Sequence, residues 1–420
     1  IIGFGSQSKL DYVVHSNRGS FYPLDDLLNT YGIETKALFP TEIWECMKIN
    51  KHIYGIPSLK DNCYIMSFIY NADMAEALGL DMESVKYTNW RQIEPFLTEV
   101  VKKRSEKFPE YDQYPLCGGA AREVPYNFAL ETFLNDSYLA VCNIDPFYDV
   151  KGYDDDTVFN LYATEEYREF AKSRQRMVEK NIFAYDYTGK SEWNYTGALF
   201  AWPGWGYTYM QEHLYGDAFT TKMIVSDHVW TETNNYFSAG TAISANCSEP
   251  ERAMMILNLV NTDPEFATMM RFGVKDKHYI INEKGKMQFE GSERNGGARA
   301  DYGYYYWYAA PVGNLTIVNA PESLIGPNGI MLTEMQRYNK EAVIPNHMGF
   351  VFDISPVANE IAACTNVVME YRDVLRNGQL ESEEEVDKTV DEFVAKLEAN
   401  GVDKIVAEAQ KQIDAWKASK

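Results

Sequence analysis

Basic residues are scarce in this chain. Its 420 residues include 39 Lys or Arg against 61 Asp or Glu, which gives a formal net charge of −22 at pH 7. A surface with this excess of negative charge repels the phosphates of nucleic acids and the headgroups of anionic lipids. The charge balance therefore excludes nucleic acid and anionic membrane surfaces as partners, and it leaves a neutral small ligand open.

Cysteines are few and scattered, and no two of them form a C-x-x-C pair. This pattern predicts small buried hydrophobic residues rather than a metal site or a disulfide framework, while a disulfide between distant cysteines stays open. The cysteines are Cys46, Cys63, Cys117, Cys142, Cys247 and Cys364.

Long apolar runs are also missing. No run of 18 apolar residues is present, which excludes an ordinary membrane-spanning helix. A signal peptide is not recognisable either, because the chain begins directly on residues 1–5, which are typical of a buried strand. We therefore expect a further N-terminal segment to precede Ile1 in the natural protein.

The common catalytic motifs are absent, including G-x-S-x-G, H-E-x-x-H and the kinase set. The six histidines lie far apart, and each is interpreted as a surface or core residue. The run Asp154, Asp155 and Asp156 lacks the alternating ligands of a calcium loop and is interpreted as a solvated turn. With 61 acidic residues, no catalytic carboxylate pair can be singled out. The sequence thus predicts no metal, no cofactor and no enzymatic activity.

Aromatic residues, in contrast, are abundant, at 14% of the chain with 30 Tyr. Within residues 194–210, the pattern predicts a short apolar strand at 197–201 and then a loop at 202–207. This loop carries two Trp and one Tyr on a turn made by one Pro and two Gly. Large rings on a surface loop indicate binding, and a flat ring suits the apolar face of a sugar. Packing of the rings beneath the loop is the alternative.

Short strands alternate with helices along the chain, which predicts an α/β protein with mainly parallel sheets. The clearest elements are a strand at 64–70, a helix capped by Asn71, a long helix at 89–105 whose start Pro95 shifts later, a strand at 236–244, two capped helices at 249–261 and 263–271, and two final helices at 383–399 and 402–417.

Rings and amides recur on the predicted turns between strands and helices. In open α/β sheets, ligands bind beyond the carboxyl ends of the strands, so widely separated turns of this kind meet in a cleft. The residues on such turns are Asn62, Tyr64, Arg122, Trp202, Trp205, Asn234, Asn235, Tyr236, Tyr306 and Trp307.

A series of motifs in fixed order gives the chain a family resemblance. The motifs are residues 19–28 (GSFYPLDDLL), 53–57 (IYGIP) with Lys60, Asp61 and Asn62, 70–74 (YNADM), 242–244 (AIS) with 248–253 (SEPERA), 257–264 (LNLVNTDP), Gly273 with 277–279 (KHY), and the tail from Gly349 to Trp416. Together they cover nearly the whole chain. The sequence resembles the extracellular solute-binding lipoproteins of carbohydrate ABC importers in Gram-positive bacteria, which have the type 2 periplasmic-binding-protein fold.

The resemblance implies an α/β fold of two lobes that exchange strands and close on a ligand in the cleft between them. By this pattern, lobe one is 1–116 plus 242–300. Lobe two is 117–241 plus 301–420, including the C-terminal helices. The family's first βα elements are missing from lobe one.

The resemblance also implies where a sugar binds. The rings expected to stack on it are Trp202, Trp205 and Trp307, with Tyr64, Tyr207 and Tyr236 behind them. The groups expected to bond its hydroxyls are Asp61, Asn62, Arg122 and Asn234. The implied protein is a cell-surface lipoprotein and a monomer, which is anchored to the cytoplasmic membrane by an N-terminal lipid and delivers its sugar to ABC permease subunits.

Two departures from the family pattern are visible. The lipid-modified N-terminal Cys of the family is absent, so the membrane anchor is only inferred. Lys51 also stands where family members have Gly after Asn50, so the hairpin turn is expected to differ.

Two other readings stay open, namely a glycan-active hydrolase or lyase and a peptide-binding receptor on the same fold. The sugar's identity, length and linkage also stay open, and Arg122 alone is thin evidence for an acidic sugar.

Overall fold

The computed structural model describes residues 1–5, 11–117, 127–134, 137–184, 197–205, 219–283, 285, 287–288, 313–320 and 329–419, with the backbone alone at 202–205 and 288. All six cysteines lie in these ranges as free thiols, and all but Cys247 are buried, as predicted. No helix in these ranges combines the length and the apolar composition that a membrane crossing requires.

The helices are α1 (Tyr12–Asn17), α2 (Asp25–Thr30), α3 (Ile33–Lys36), α4 (Thr41–Cys46), α5 (Ala72–Ala77), α6 (Trp90–Lys107), α7 (Glu165–Glu179), α8 (Thr233–Phe237), α9 (Pro250–Thr262), α10 (Pro264–Phe272), α11 (Ile330–Glu341), α12 (Ala358–Arg376), α13 (Glu383–Ala399) and α14 (Val402–Ala418).

The strands are β1 (Ile2–Gly5), β2 (Lys48–Ile49), β3 (His52–Ile53), β4 (Gly55–Pro57), β5 (Tyr64–Asn71), β6 (Leu130–Thr132), β7 (Val141–Asn143), β8 (Ala201–Trp205), β9 (Thr221–Trp230), β10 (Ala239–Ala242), β11 (Ile280–Ile281) and β12 (Met287–Gln288). Every ladder between these strands is antiparallel. The expectation of mainly parallel sheets is therefore wrong for the part of the chain that the structure describes.

Local signals in the sequence set several helix ends. The Asn71 side chain accepts a hydrogen bond from the Met74 N–H at 3.0 Å, and Asn89 accepts one from Gln92 N–H at 3.0 Å. Helix α6 begins at Trp90, in agreement with the predicted range 89–105, and Pro95 inside it does not delay that start. Pro95 removes one hydrogen bond, the one that an N–H at this position would donate to the Arg91 carbonyl, and it leaves the cap at Asn89 intact. Asn89 can therefore begin the helix upstream of it.

The chain divides into two compact units. Unit 1 comprises residues 1–63 and 231–342, and unit 2 comprises 64–230 and 343–420. These units differ from the predicted lobes at 64–116, which belongs to unit 2, and at 231–241 and 301–342, which belong to unit 1. The reason for the first difference is the pairing of β5 with β8 and β9, which ties residues 64–71 to the second unit.

Unit 1 contains a sheet with the strand order β1-β10-β4. The ring of Phe4 lies against Gly55 and Gly240, where an added Cβ would be 2.4 and 2.2 Å from ring atoms. Only glycine therefore fits at these two positions. The β2–β3 hairpin keeps a two-residue turn at Asn50 and Lys51, both with positive φ (52° and 72°), although Lys51 replaces the expected Gly.

Unit 2 contains a sheet with the order β8-β5-β9. Its central strand β5 is buried along nearly its whole length, and β8 is the edge strand that pairs with it. The strand predicted at 197–201 and the loop predicted at 202–207 are therefore placed wrongly, because the strand is Ala201–Trp205 and includes Pro203. An edge strand tolerates proline, since a residue there lacks a partner on one side.

The C-terminal helices complete the core of unit 2. Helices α12, α13 and α14 pack on one another, and α12 and α13 also pack on α7. Apolar residues recur at helical spacing along the last two helices and are buried, with Phe393 of α13 and Ile405 and Ile413 of α14 each fully enclosed. The sequence prediction for these last two helices is confirmed to within one residue.

Candidate ligand-binding site

The turn formed by Lys60, Asp61 and Asn62 ends the first segment of unit 1. The Asn62 side chain is buried, and its Nδ2 donates to the Ser58 carbonyl at 3.1 Å while its Oδ1 accepts the Lys60 N–H at 2.8 Å. Its backbone N–H donates to Asn339 Oδ1 on α11 at 3.0 Å. The Asn62 amide therefore forms its hydrogen bonds with protein groups and positions the turn.

Helix α8 and the residue pair before it hold the other side of this turn. The Asn62 carbonyl accepts hydrogen bonds from Thr231 Oγ1 at 2.5 Å and from Asn235 Nδ2 at 3.3 Å. Asn234, one residue earlier on the same helix, is exposed. Of the predicted contact residues in unit 1, Asn234 thus presents its side chain to solvent beside the fixed turn.

Asp61 is an acidic group held in a largely buried position, at 8% exposure. Burial raises the pKa of its carboxyl group, and Lys60, whose Nζ lies 3.3 Å from Asp61 Oδ1, partly opposes that rise. A buried carboxylate with spare lone pairs is a strong acceptor for a hydroxyl donor.

Tyr236 lies in helix α8 and not in the strand expected at 236–244. Its ring is buried and packs edge-on against Phe39, with 6.4 Å between ring centroids. Burial also raises the pKa of its hydroxyl group. Because a one-turn helix directs this ring into the interior, Tyr236 supports the turn rather than offering a stacking face.

In unit 2, an aromatic pair stands at the strand ends nearest to the segment boundaries at 63/64 and 230/231. Tyr64 begins β5 and Trp230 ends β9, and their rings stack with 5.0 Å between centroids and 19° between planes. The sequence analysis identified Tyr64 but not Trp230. The pairing of the two strand ends depends on the β5–β9 register, which local sequence does not reveal.

A small pocket lies directly beside this pair and is lined by unit 2 residues alone. Its lining residues are Met66, Thr88, Asn89, Asn127, Phe128, Ala129, Asp149, His228 and Trp230. Asn127 and Trp230 are each 2% exposed, and neither the Asn127 amide atoms nor the Trp230 indole Nε1 has a hydrogen-bond partner within the described chain.

Two further polar groups of the pocket are fixed in place. Asp149 Oδ2 accepts the Ala129 N–H at 2.7 Å and lies 3.5 Å from His228 Nδ1. The His228 imidazole stacks on Phe147, with 4.2 Å between ring centroids. The pocket therefore has rigid walls, an acidic acceptor and unsatisfied donors, which suits recognition of a neutral polar group.

The remaining predicted contacts are only partly visible. Arg122, Tyr207 and Trp307 lie outside the described residues. Trp202 and Trp205 are described by their backbone alone, which places them on β8 opposite Ile69 and Met66 of β5. Across the described ranges, no three His, Cys, Asp or Glu side chains are grouped so that they could hold a metal ion.

Four residues of the pocket, Asn127, Asp149, His228 and Trp230, were missed from the sequence. In the sequence, Asn127 follows a Gly-Gly pair at 118–119, which is only a weak signal for ligand binding. Histidine at position 228 was interpreted as a surface or core residue. Nothing local links positions 127, 149 and 228, because only the folded chain brings them together.

A family model described as a domain of unknown function (DUF3502) matches residues 346–418, the segment that carries α12 to α14. The chain is also 23% identical over 432 residues to a carbohydrate ABC transporter substrate-binding protein of Streptococcus pneumoniae serotype 4. That alignment covers 98% of this chain and 79% of the pneumococcal protein.

Solved structures show the same likeness. The N-glycan transport solute-binding protein NgtS of Streptococcus pneumoniae is 20% identical, with a TM-score of 0.73 over 99% of this chain and 88% of that one. NgtS in complex with Man1GlcNAc gives 20% identity and a TM-score of 0.66, over 97% and 87% of the two chains.

A human-milk-oligosaccharide-binding solute-binding protein of Bifidobacterium longum infantis is 13% identical, with a TM-score of 0.58 over 97% of this chain and 86% of that one. These likenesses extend over nearly the whole chain and confirm the α/β fold implied by the sequence motifs. The chain therefore has the fold of the solute-binding proteins that serve sugar ABC importers.

Proposed function

We propose that this protein is the extracellular substrate-binding component of an ABC importer and that it binds a sugar or an oligosaccharide without chemical conversion. The observation that carries the proposal is the polar pocket beside the Tyr64–Trp230 stack, with two buried polar side chains that await partners. The similarity to carbohydrate-binding relatives along the whole chain supports it.

Each part of the proposed site supplies one element of sugar recognition. Aromatic rings cover the apolar face of a pyranose, for which Trp202, Trp205 and Trp307 remain the proposed stackers, with Tyr64 and Tyr207 beside them. Asp61, Asn234 and Arg122 bond hydroxyls, while Asn62 and Tyr236 hold the turn that carries Asp61.

Ligand binding is coupled to transport in this proposal. The sugar binds better to a closed arrangement of the two units than to an open one, and this difference in affinity shifts the population towards the form that the permease subunits accept. An N-terminal lipid keeps the protein at the cell surface. The protein acts as a monomer, and no metal or cofactor takes part.

A thermal-shift screen with titration calorimetry tests the function. The panel contains Man1GlcNAc, Man5GlcNAc, human-milk oligosaccharides and short peptides. A ligand that binds only the native state, at one hundred times its dissociation constant, stabilises the protein by about 2.7 kcal/mol. We expect one or more oligosaccharides to raise the melting temperature. Binding of peptides alone, or appearance of cleaved glycan, would contradict the proposal.

Substitution of the two β8 tryptophans tests the stacking role. Trp202→Ala and Trp205→Ala each remove a ring worth about 1.5–3 kcal/mol of burial, so the dissociation constant of the bound oligosaccharide rises by about 10-fold to 100-fold. Tyr111→Ala, at a half-buried ring of unit 2 that packs on Phe108, serves as the control and leaves affinity unchanged. Normal affinity in both tryptophan variants would show that these rings only pack.

A further inference from the structure

Two residues that line the pocket of unit 2 carry three buried polar atoms that the described chain leaves unsatisfied. They are Oδ1 and Nδ2 of Asn127 and Nε1 of Trp230. Buried polar groups in folded proteins nearly always have partners, because leaving them without one is costly. Both residues line one pocket, which indicates that a group bound there completes their hydrogen bonds.

The chemistry of the walls specifies that group. Asn127 Nδ2 and Trp230 Nε1 are donors, whereas Asn127 Oδ1 and the Asp149 carboxylate are acceptors. A hydroxyl donates one hydrogen bond and accepts two, so it satisfies both kinds of wall at once. An ammonium group accepts none. A carboxylate donates none and would be repelled by Asp149.

The size of the pocket restricts the group further. Its free volume is about 10 Å³, room for one water-sized group. Met66, Phe128 and Ala129 make the rest of the lining apolar. A pyranose ring is too large for this space, but the hydroxyl at the end of its exocyclic CH2–OH arm is water-sized and projects beyond the ring.

We propose that this pocket is a specificity subsite, which receives the hydroxymethyl group of a neutral hexose and rejects the corresponding uronate. The proposal rests on the sugar-binding function proposed above and deepens it. It assigns a neutral sugar class to the ligand and names Asn127 and Trp230 as the residues that recognise its primary hydroxyl.

The test monitors the Trp230 indole N–H resonance in the full chain labelled with [15N]tryptophan. The Trp230→Phe spectrum identifies this signal. The probes are D-glucose, D-mannose and D-galactose, each beside its 6-deoxy analogue and its uronate. We expect at least one hexose to shift the resonance, with a dissociation constant at least about tenfold below that of its 6-deoxy analogue. Its uronate leaves the signal unmoved.

Variants separate recognition from packing. Asn127→Ala removes the amide, and we expect this variant to bind the hexose and its 6-deoxy analogue with about equal dissociation constants. Asn377→Ala, at the C-terminal end of α12, is the matched control in the same unit and keeps the preference. The proposal is overturned if Asn127→Ala keeps the preference for the hexose over its 6-deoxy analogue. It is also overturned if the Trp230 signal responds equally to each hexose and its 6-deoxy analogue, or if it responds to none of the sugars. In that case the pocket holds only a structural water.

Calorimetry with Man1GlcNAc and human-milk oligosaccharides distinguishes the two proposals. If oligosaccharides bind while the Trp230 signal stays unmoved by every hexose, the subsite is wrong and the sugar-binding function stands. If no oligosaccharide binds while a hexose shifts that signal, the subsite stands and the ligand of the proposed function is a monosaccharide. If neither oligosaccharides nor hexoses bind, both proposals are wrong.

Discussion

The turn at Lys60–Asn62 and the pocket beside Trp230 are both buried and polar, yet their hydrogen bonds end in different places. Asn62 is bonded to Ser58, Lys60 and Asn339, and its carbonyl accepts from Thr231 and Asn235. In the pocket, the amide of Asn127 and the indole of Trp230 have no partner in the described chain.

This difference distinguishes the turn, which acts as a scaffold, from the pocket, which we propose as a recognition site. A turn held by the fully bonded Asn62 is rigid before any ligand arrives, so it loses little entropy on binding. A pocket with unpaired groups has a cost in the unliganded protein that a ligand relieves. Substitutions in the turn should therefore lower the free energy of unfolding more than the ligand affinity. Substitutions in the pocket should lower the ligand affinity more than the free energy of unfolding.

The largest expected effect on stability comes from Asn62→Ala. The substitution leaves the Ser58 carbonyl and the Lys60 N–H without their partner in a buried place, which costs about 2–3 kcal/mol of unfolding free energy. Urea denaturation at pH 7 measures it. A loss below about 0.5 kcal/mol would mean that the turn does not depend on this amide, and the contrast with the pocket would fail.

Asn127→Leu should behave in the opposite way. The new side chain has the same branching and number of heavy atoms and no unpaired polar atom, so the free energy of unfolding stays the same or rises by up to about 1 kcal/mol. The preference for a hexose over its 6-deoxy analogue is lost at the same time. Destabilisation by 2 kcal/mol or more in urea would show that the amide has a structural role like that of Asn62.

Asp61→Asn tests the turn through the pH dependence of the protein's stability. Burial raises the pKa of this carboxyl group above its unfolded-state value near 3.9, so the native state holds the proton more firmly than the unfolded state. Ionisation of Asp61 therefore costs stability as the pH rises from about 4 through the folded-state pKa.

Replacing Asp61 with a neutral amide should raise the melting temperature at pH 7 and give no gain at pH 3.5, below both pKa values. The gain is expected to be smaller than the loss in Asn62→Ala, because the Lys60 ammonium already offsets part of the cost. Thermal melts of the two proteins across this pH range measure it. An equal gain in melting temperature at both pH values would show that the gain does not depend on ionisation of Asp61.

The smallest expected effect on stability belongs to Asn234→Ala. This side chain is exposed on α8, so the free energy of unfolding changes by less than about 0.5 kcal/mol. Loss of one sugar hydrogen bond raises the dissociation constant of the oligosaccharide bound in the panel by about 3-fold to 10-fold. Unchanged affinity by calorimetry would assign Asn234 to the scaffold side of the comparison.

Sequence reasoning succeeded where local signals decide the structure. Asn71 and Asn89 cap helices through their own side chains, and the apolar stripes of α13 and α14 predict both helices and their buried faces. The overall order of motifs was sufficient for the fold, which the likeness to solved structures confirms.

The sequence was misleading where pairing across the chain decides the structure. Residues 202–205 contain a Pro and a Gly and therefore predict a loop, but pairing with β5 makes them an edge strand. Tyr236 follows a strand-like pattern, yet it lies in the one-turn helix α8. The pocket joins positions 127, 149 and 228, and no periodicity relates residues so far apart.

The segmentation of the two units also has a consequence for biosynthesis. Unit 1 requires residues 231–342 to join residues 1–63, and the core of unit 2 includes Ile405 and Ile413 on α14. Contacts between such distant segments slow folding, because long loops must close first. A ribosome therefore synthesises the chain as far as residue 342 before unit 1 can be completed, and past Ile413 before the core of unit 2 can be completed. For a protein proposed to act outside the cell, this delay keeps the nascent chain incompletely folded, so that it can pass through a secretion channel.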